Sequence, residues 1–327
     1  MTPHTNPNSN RATFFNPLKR DGADPWLTYH NGWYYLCTTS GPAFHMRRAR
    51  RLGDLQTAAD TLVWQDTTPG RSRDLWAPEF HRWPTPSGPR WFLYYTASDD
   101  HDENHRMYVA ESAGDDPRGP YTFRAQLLTD PANAYYAIDG TVLTLPGGAA
   151  YFAWCGRPSD AGQGLYIARM DGPTRLVGER VYLPAEGFGC AVVREGPVAL
   201  QHEGQVFLVY SMCGADTPDY KVGLLIADQT ADLLDPGAWR QHPAPVFARS
   251  DAGGVYGPGH NHFFRSPDGM EDWIIYHAKS TMERDYHDRS ARAQPFTWNK
   301  DGLPNFGVPL PLSTPIPAPS GESPPSA

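Results

Sequence analysis

The sequence predicts an all-β protein, a five-bladed β-propeller in a single domain. Three observations predict it. Five short runs of β-branched and aromatic residues recur along the chain, each after a polar turn. They begin at Trp33, Trp91, Tyr151, Val206 and Trp273, 55 to 67 residues apart. No long stretch of helical periodicity interrupts them. A repeat of about 60 residues with two or more strands per unit is too long for a solenoid and suits four-stranded blades with generous loops.

Each element follows from its own residues. HNG at 30–32 leads into WYYLC at 33–37, and PSGPR at 86–90 into WFLYY at 91–95. PGG at 146–148 precedes YFAWC at 151–155, HEG at 202–204 precedes VFLVY at 206–210, and SPDG at 266–269 precedes WIIYH at 273–277. Gly, Asn and Asp supply the backbone geometry of tight hairpins, and a second short strand lies ahead of each turn. Five such units fill residues 20–311. Residues 1–19 read as an N-terminal extension, and residues 312–327 as a Pro/Ser-rich tail that is disordered or extended.

Ahead of the five hairpins stand Asp24 in ADPW, Glu79 in WAPEF, Asp139 in IDGTV, Glu195 in REGPV and His260 in YGPGH. The innermost strand of each propeller blade lines the central channel, so equivalent positions converge on one axis. Each residue has a plainer explanation alone. Asp24 before proline opens a turn, Asp139-Gly140 makes one, Glu195 is a loop charge, Glu79 a structural acceptor, and His260 a core histidine. Turn chemistry does not explain an ionisable residue ahead of every blade. Like charges gathered at an axis raise one another's pKa, a cost expected at functional sites.

Composition narrows the function. A net charge of -8 disfavours general affinity for nucleic acid, which needs basic patches. No apolar run of about 18 residues exists to span a membrane. The N-terminus MTPHTNPNSNR holds no apolar segment, so a cytoplasmic location is expected unless a leader has been removed. Cys37, Cys155, Cys190 and Cys213 form no CxxC and are expected as buried free thiols. HDENH at 101–105 has metal-like composition but reads as a solvated loop, able to rim a pocket mouth.

The motifs ADPW at 23–26, LWAPEF at 75–80, IDGTV at 138–142, REGP at 194–197, GPGHNHFF at 257–264 and RAQPFTWNKDGLPNFG at 292–307 stand in a fixed order. Together they resemble glycoside hydrolase family 43 over about residues 18–311. The resemblance implies a five-bladed propeller that cleaves arabinofuranosyl or xylosyl linkages in oligo- or polysaccharides. It implies Asp24 as general base, Glu195 as general acid and Asp139 as the third carboxylate. Trp76 and Glu79 match a pocket motif, Arg289 or Arg292 supplies a sugar-binding guanidinium, and His260 is the channel histidine beside a structural calcium or other cation. No organic cofactor is implied.

The chemistry is consistent with that division. Inverting hydrolysis needs one protonated and one ionised carboxyl with water between them. A third carboxylate beside the acid keeps it protonated at neutral pH. The dialect of RDGADPW, GPGHNHFF and QPFTWNKDGLPNFG points to an exo-acting α-L-arabinofuranosidase. An endo-arabinanase, a β-xylosidase and a non-catalytic carbohydrate-binding propeller are the alternatives.

Overall fold

Five sheets of four antiparallel strands carry the chain in the computed structural model, which describes residues 11–157 and 162–323. The first ten residues of the expected N-terminal extension and the last four of the Pro/Ser-rich tail lie outside the described residues. Blade I comprises Ala23–His30, Trp33–Thr39, Ala43–Ala49 and Thr61–Gln65. Blade II comprises Arg73–Trp83, Arg90–Ser98, Arg106–Ser112 and Tyr121–Leu127. Blade III comprises Ala137–Thr144, Ala150–Gly156, Gly164–Met170 and Leu176–Tyr182. Blade IV comprises Arg194–His202, Gln205–Met212, Lys221–Asp228 and Arg240–Gln241. Blade V comprises Tyr256–Arg265, Asp272–Lys279, Ser290–Trp298 and Pro304–Asn305.

The first strand of every blade packs on the first strands of both neighbours, and the fifth returns to the first. The aromatic runs read from the sequence are the second strands. Neighbouring blades cover both their faces, so apolar residues fall at consecutive positions instead of alternating. The outermost strand of blade III, Leu176–Tyr182, has no buried residue. Between each pair of neighbouring blades lies one apolar core, five in all among the described residues. Trp273 is fully buried in the core between blades V and I. Truncating a buried tryptophan to alanine costs about 3–5 kcal/mol.

Every blade is built from one continuous stretch of chain, so the ring needs another means of closure. Residues 16–22 provide it by pairing with the third strand of blade V. Leu18 N–H donates to Ala291 O over 2.8 Å, Ala291 N–H to Lys19 O over 2.9 Å, and Gly22 N–H to Arg289 O over 2.9 Å. The Asn16 amide bonds both the N–H and the C=O of Ala293, as a strand residue would. Gly22 is required here, because a Cβ would stand 2.3 Å from the Ala291 nitrogen. Thr13–Phe14 then pairs with Ile316–Pro317 in a small separate sheet. The described part of the tail is extended and packed. Ile316 and Ala318 are buried, Ser320 Oγ donates to Asp268, and Glu322 accepts the Leu52 N–H over 2.8 Å.

The cysteines correct one expectation. Cys37 and Cys155 are buried free thiols, but Cys190 and Cys213 form a disulfide with their Cα atoms 5.0 Å apart. The loop before blade IV folds back onto the end of that blade's second strand. That contact is made by the fold, not by local spacing, and leaves no motif.

Candidate active site

Each inner strand breaks its ladder at the same place. The register shifts between Ala23 and Trp26, Trp76 and Glu79, Ile138 and Thr141, Glu195 and Val198, and Gly259 and His262. At each break one residue has a left-handed backbone: Asp24 (φ 51°), Ala77 (47°), Asp139 (56°), Gly196 (53°) and His260 (43°). Glycine takes this region freely, and Asp and His take it more readily than most residues. Only Ala77 lacks such an allowance. Pro25, Pro78 and Pro197 come next in their blades, where an interrupted ladder does not need their missing N–H. A bulge re-aims the side chain it carries.

The five ionisable residues read as equivalents are therefore not one set. Asp24, Asp139 and His260 occupy the bulge position in blades I, III and V. Glu195 stands one residue before it and Glu79 two residues after it.

The bulges open into a cavity of about 780 Å³ lined by Asp24, Trp76, Asp139, Glu195, His260 and Arg289, with Tyr136, Arg157 and Tyr286 in its walls. Asp139, Glu195 and His260 present ligand-type atoms within 4.8 Å of one another and could together hold a metal ion. His260 Nδ1 lies 3.3 Å from Asp24 Oδ1, and Arg289 Nη1 donates to the same oxygen over 3.3 Å. Two of the residues expected to touch substrate do not line this cavity. Arg292 is fully buried and donates to Ser290 Oγ and Ser280 Oγ. Glu79 accepts from Thr141 Oγ1 over 3.1 Å and sits 2.9 Å from His81 Nε2. Both are held by protein side chains away from the cavity, so of the two arginines Arg289 is the one that reaches it, beside Arg157.

Several site residues carry no readable motif. Tyr220 donates its hydroxyl to Glu195 Oε1. His277 Nδ1 accepts the Asp24 N–H over 3.2 Å, which leaves the ring proton on Nε2. Within HDENH, Asp102 pairs with Arg157 at the cavity wall over 2.6 Å. His105, only 1% exposed, stacks on Trp76 with ring centroids 4.1 Å apart. Half of that loop is thus a buttress.

The electrostatics separate the carboxyls. Burial pushes Asp24 upward, yet its neighbours outweigh this and hold it well below the ordinary range. His260 and His277 are themselves pushed down by burial, His277 to about 4, so both are neutral at pH 7. The permanent positive charge on Asp24 is then that of Arg289. Glu195 is pushed up to about 7, first by burial, against the Tyr220 hydrogen bond and with the Asp24 charge adding. By surface area Glu195 is only partly buried, because it faces the cavity, while protein encloses its other sides. Asp139 is raised well above its usual value by burial and by the charges of Glu195 and Asp24. Asp139 and Glu195 cannot both ionise easily this close together, so the pair retains a proton. One ionised carboxylate and one proton-holding pair share a single cavity. Such a site can take a proton from water and give one to a leaving oxygen.

Sequence and structure comparisons agree with this architecture. The family described as Glycosyl hydrolases family 43 matches residues 14–304. An extracellular exo-α-(1→5)-L-arabinofuranosidase of Streptomyces avermitilis is 36% identical over 94% of this chain and 66% of its own length. An enzyme of the same name from Streptomyces chartreusis is 35% identical over 83% of this chain and 84% of its own. The chain thus spans just under two thirds of the first relative. The crystal structure of an α-L-arabinofuranosidase from Lactobacillus brevis superposes with a TM-score of 0.82 at 33% identity, covering 92% of this chain and 98% of that one.

Proposed function

The chain belongs to glycosyl hydrolases family 43, and we propose that it is an inverting, exo-acting glycosidase that releases α-L-arabinofuranosyl residues from arabinan, arabinoxylan or their oligosaccharides. The observation that carries this reading is the cavity itself, with Asp24, Asp139 and Glu195 from three blades turned into one space. We take residues 20–311 as the catalytic propeller.

In this reading Asp24 is the general base. Arg289 keeps it ionised, so it accepts a proton from the water that attacks the anomeric carbon. Glu195 is the general acid, with a pKa near neutrality that lets it hold a proton and give it to the departing oxygen. Asp139, with a carboxyl oxygen within 4.8 Å of one of Glu195, opposes ionisation of both groups together and offers its other oxygen to the sugar. Trp76, braced by His105, presents an apolar face to the ring, and Arg289 a donor to its hydroxyls.

The donor set fits a hard cation better than zinc. It holds one imidazole nitrogen and carboxylate oxygens, and no second His or Cys at ligand distance accompanies them among the described residues. His260 Nδ1 faces Asp24, which leaves Nε2 for an ion or its bound water. We assign a calcium-class ion here, held largely through water, which would supply positive charge beside the carboxylates.

The names of the relatives favour arabinofuranoside over xyloside. They also favour secretion over the cytoplasmic location expected from the N-terminus, and the Cys190–Cys213 disulfide suits an oxidising compartment. No helix among the described residues is long and apolar enough to cross a membrane. The test is turnover of aryl α-L-arabinofuranoside, aryl β-D-xyloside, linear arabinan and arabinoxylan, with products identified. Release of arabinose of inverted configuration, without internal chain cleavage, is expected. Xylose release alone, or a fall in arabinan viscosity ahead of arabinose release, would replace the substrate or the exo assignment. Binding without turnover would make it a carbohydrate-binding propeller.

A further inference from the structure

The fivefold repeat extends to a second set of residues, with one exception. Opposite the residue before each bulge, the second strand places Thr39, Thr96, Cys155, Ser211 or His277. In four blades this side chain accepts the N–H of the bulge residue in the next blade. Thr39 Oγ1 accepts from Ala77 over 2.8 Å, and Thr96 Oγ1 from Asp139 over 3.2 Å. Ser211 Oγ accepts from His260 over 2.7 Å, and His277 Nδ1 from Asp24 over 3.2 Å. These contacts tie each left-handed residue to its neighbour and satisfy an N–H the broken ladder cannot.

Blade III supplies Cys155 instead. A thiol is a poor acceptor, and the N–H it would take, that of Gly196, goes elsewhere. It donates to Oδ2 of Asp139 over 3.1 Å. A carboxyl oxygen is a far better acceptor than a thiol sulfur, whether or not the carboxyl is ionised. The bond runs from the residue next to Glu195 to the carboxyl that lies within 4.8 Å of Glu195 in the cavity, and so fixes their relative position.

We infer that Cys155 is a positioning residue, whose weak acceptor leaves the Gly196 N–H free to anchor the Asp139 carboxylate beside Glu195. The inference rests on the role proposed for Asp139. A hydroxyl at this site, of the kind three sister blades carry, competes for the Gly196 N–H and releases Asp139 from its anchor. The thiol is completely buried, so it acts by geometry and not by contact with substrate.

The test compares Cys155→Ala with Cys155→Thr. Alanine offers no acceptor, and threonine offers the one used in blades I and II. Cys155→Ala is expected to keep kcat within about 3-fold of wild type, and Cys155→Thr to lose 10-fold or more in kcat with KM nearly unchanged. The Gly196 amide proton resonance, read by NMR, should stay in place in the alanine variant and move in the threonine variant. Equal losses in both variants, or a silent threonine variant with an unmoved resonance, would overturn the inference. Cys155→Ser gives the same comparison where the extra methyl group lowers the melting temperature. Asp139→Asn in the same assay separates the two readings. If it is as active as wild type, the role of Asp139 falls, while the amide resonance still reports which group holds Gly196.

Discussion

Tyr220 donates its phenolic proton to Oε1 of Glu195 across 2.7 Å. A donor on this oxygen stabilises the ionised carboxylate and so holds the Glu195 pKa down, against burial that raises it to about 7. Removing the donor shifts the acid further up. Tyr220→Phe is therefore expected to move the alkaline limb of kcat/KM upward by about one unit. The limb would move downward, or not at all, if another group supplied the leaving-group proton.

The proposed acid and base are separable by leaving group. Glu195→Gln should lose most activity on natural glycosides and keep more on activated aryl glycosides, which need little protonation to depart. Asp24→Asn should abolish both, by about 10²-fold or more, because water must be activated whatever leaves. A Glu195→Gln enzyme dead on both substrates beside an Asp24→Asn enzyme still active on the activated one would reverse the two labels.

The same carboxyl couples the site to stability. Between its ordinary value of 4.5 and about 7, folded Glu195 binds a proton that the unfolded chain has released. Stability of the wild type then falls as pH rises through that window. Glu195→Gln removes this dependence. Its stability relative to wild type should grow by about 1–3 kcal/mol between pH 4.5 and pH 8, the opening to solvent trimming the full linkage. Urea titrations of both proteins at the two ends of the range measure it, and a difference of opposite sign would show that Glu195 is ionised in the folded state throughout.

Exhaustive chelation tests the ion assigned beside His260. Partial loss of activity is expected, restored by calcium. Complete loss rescued by zinc alone would make the metal the source of the nucleophile and displace Asp24 from that role.

The second strands were legible because both their faces are covered, which writes five consecutive apolar residues into the chain. The inner strands were legible as places, not as registers. ADPW, WAPE and EGPV look alike as strings, but the bulge falls at Asp24, Ala77 and Gly196, so their carboxylates sit at different offsets. Proline after the bulge residue was the signal that could have aligned them. Arg289 and Arg292 differ by one turn of strand alternation plus one residue, too little for composition to separate. Tyr220, His277 and the Cys190–Cys213 pair come from contacts across blades, which no local pattern records.

Closure of the ring has a consequence for the order in which the molecule is made. During synthesis blades I to IV can each assemble as they emerge, because each is a continuous stretch of chain. Residues 13–22 pair with residues 289–293 and 316–317, which are made long after them. Until then the first segment has only its contacts with blade I, such as Lys19 Nζ to Thr38 Oγ1 and the packing of Phe14 near Leu52, and the flank of blade I that faces blade V stays open. Asp24 adjoins that segment and takes its Arg289 partner from the same late stretch. The base proposed at Asp24 thus gains its guanidinium partner only in the step that seals the circle, and a propeller short of blade V would lack that pairing.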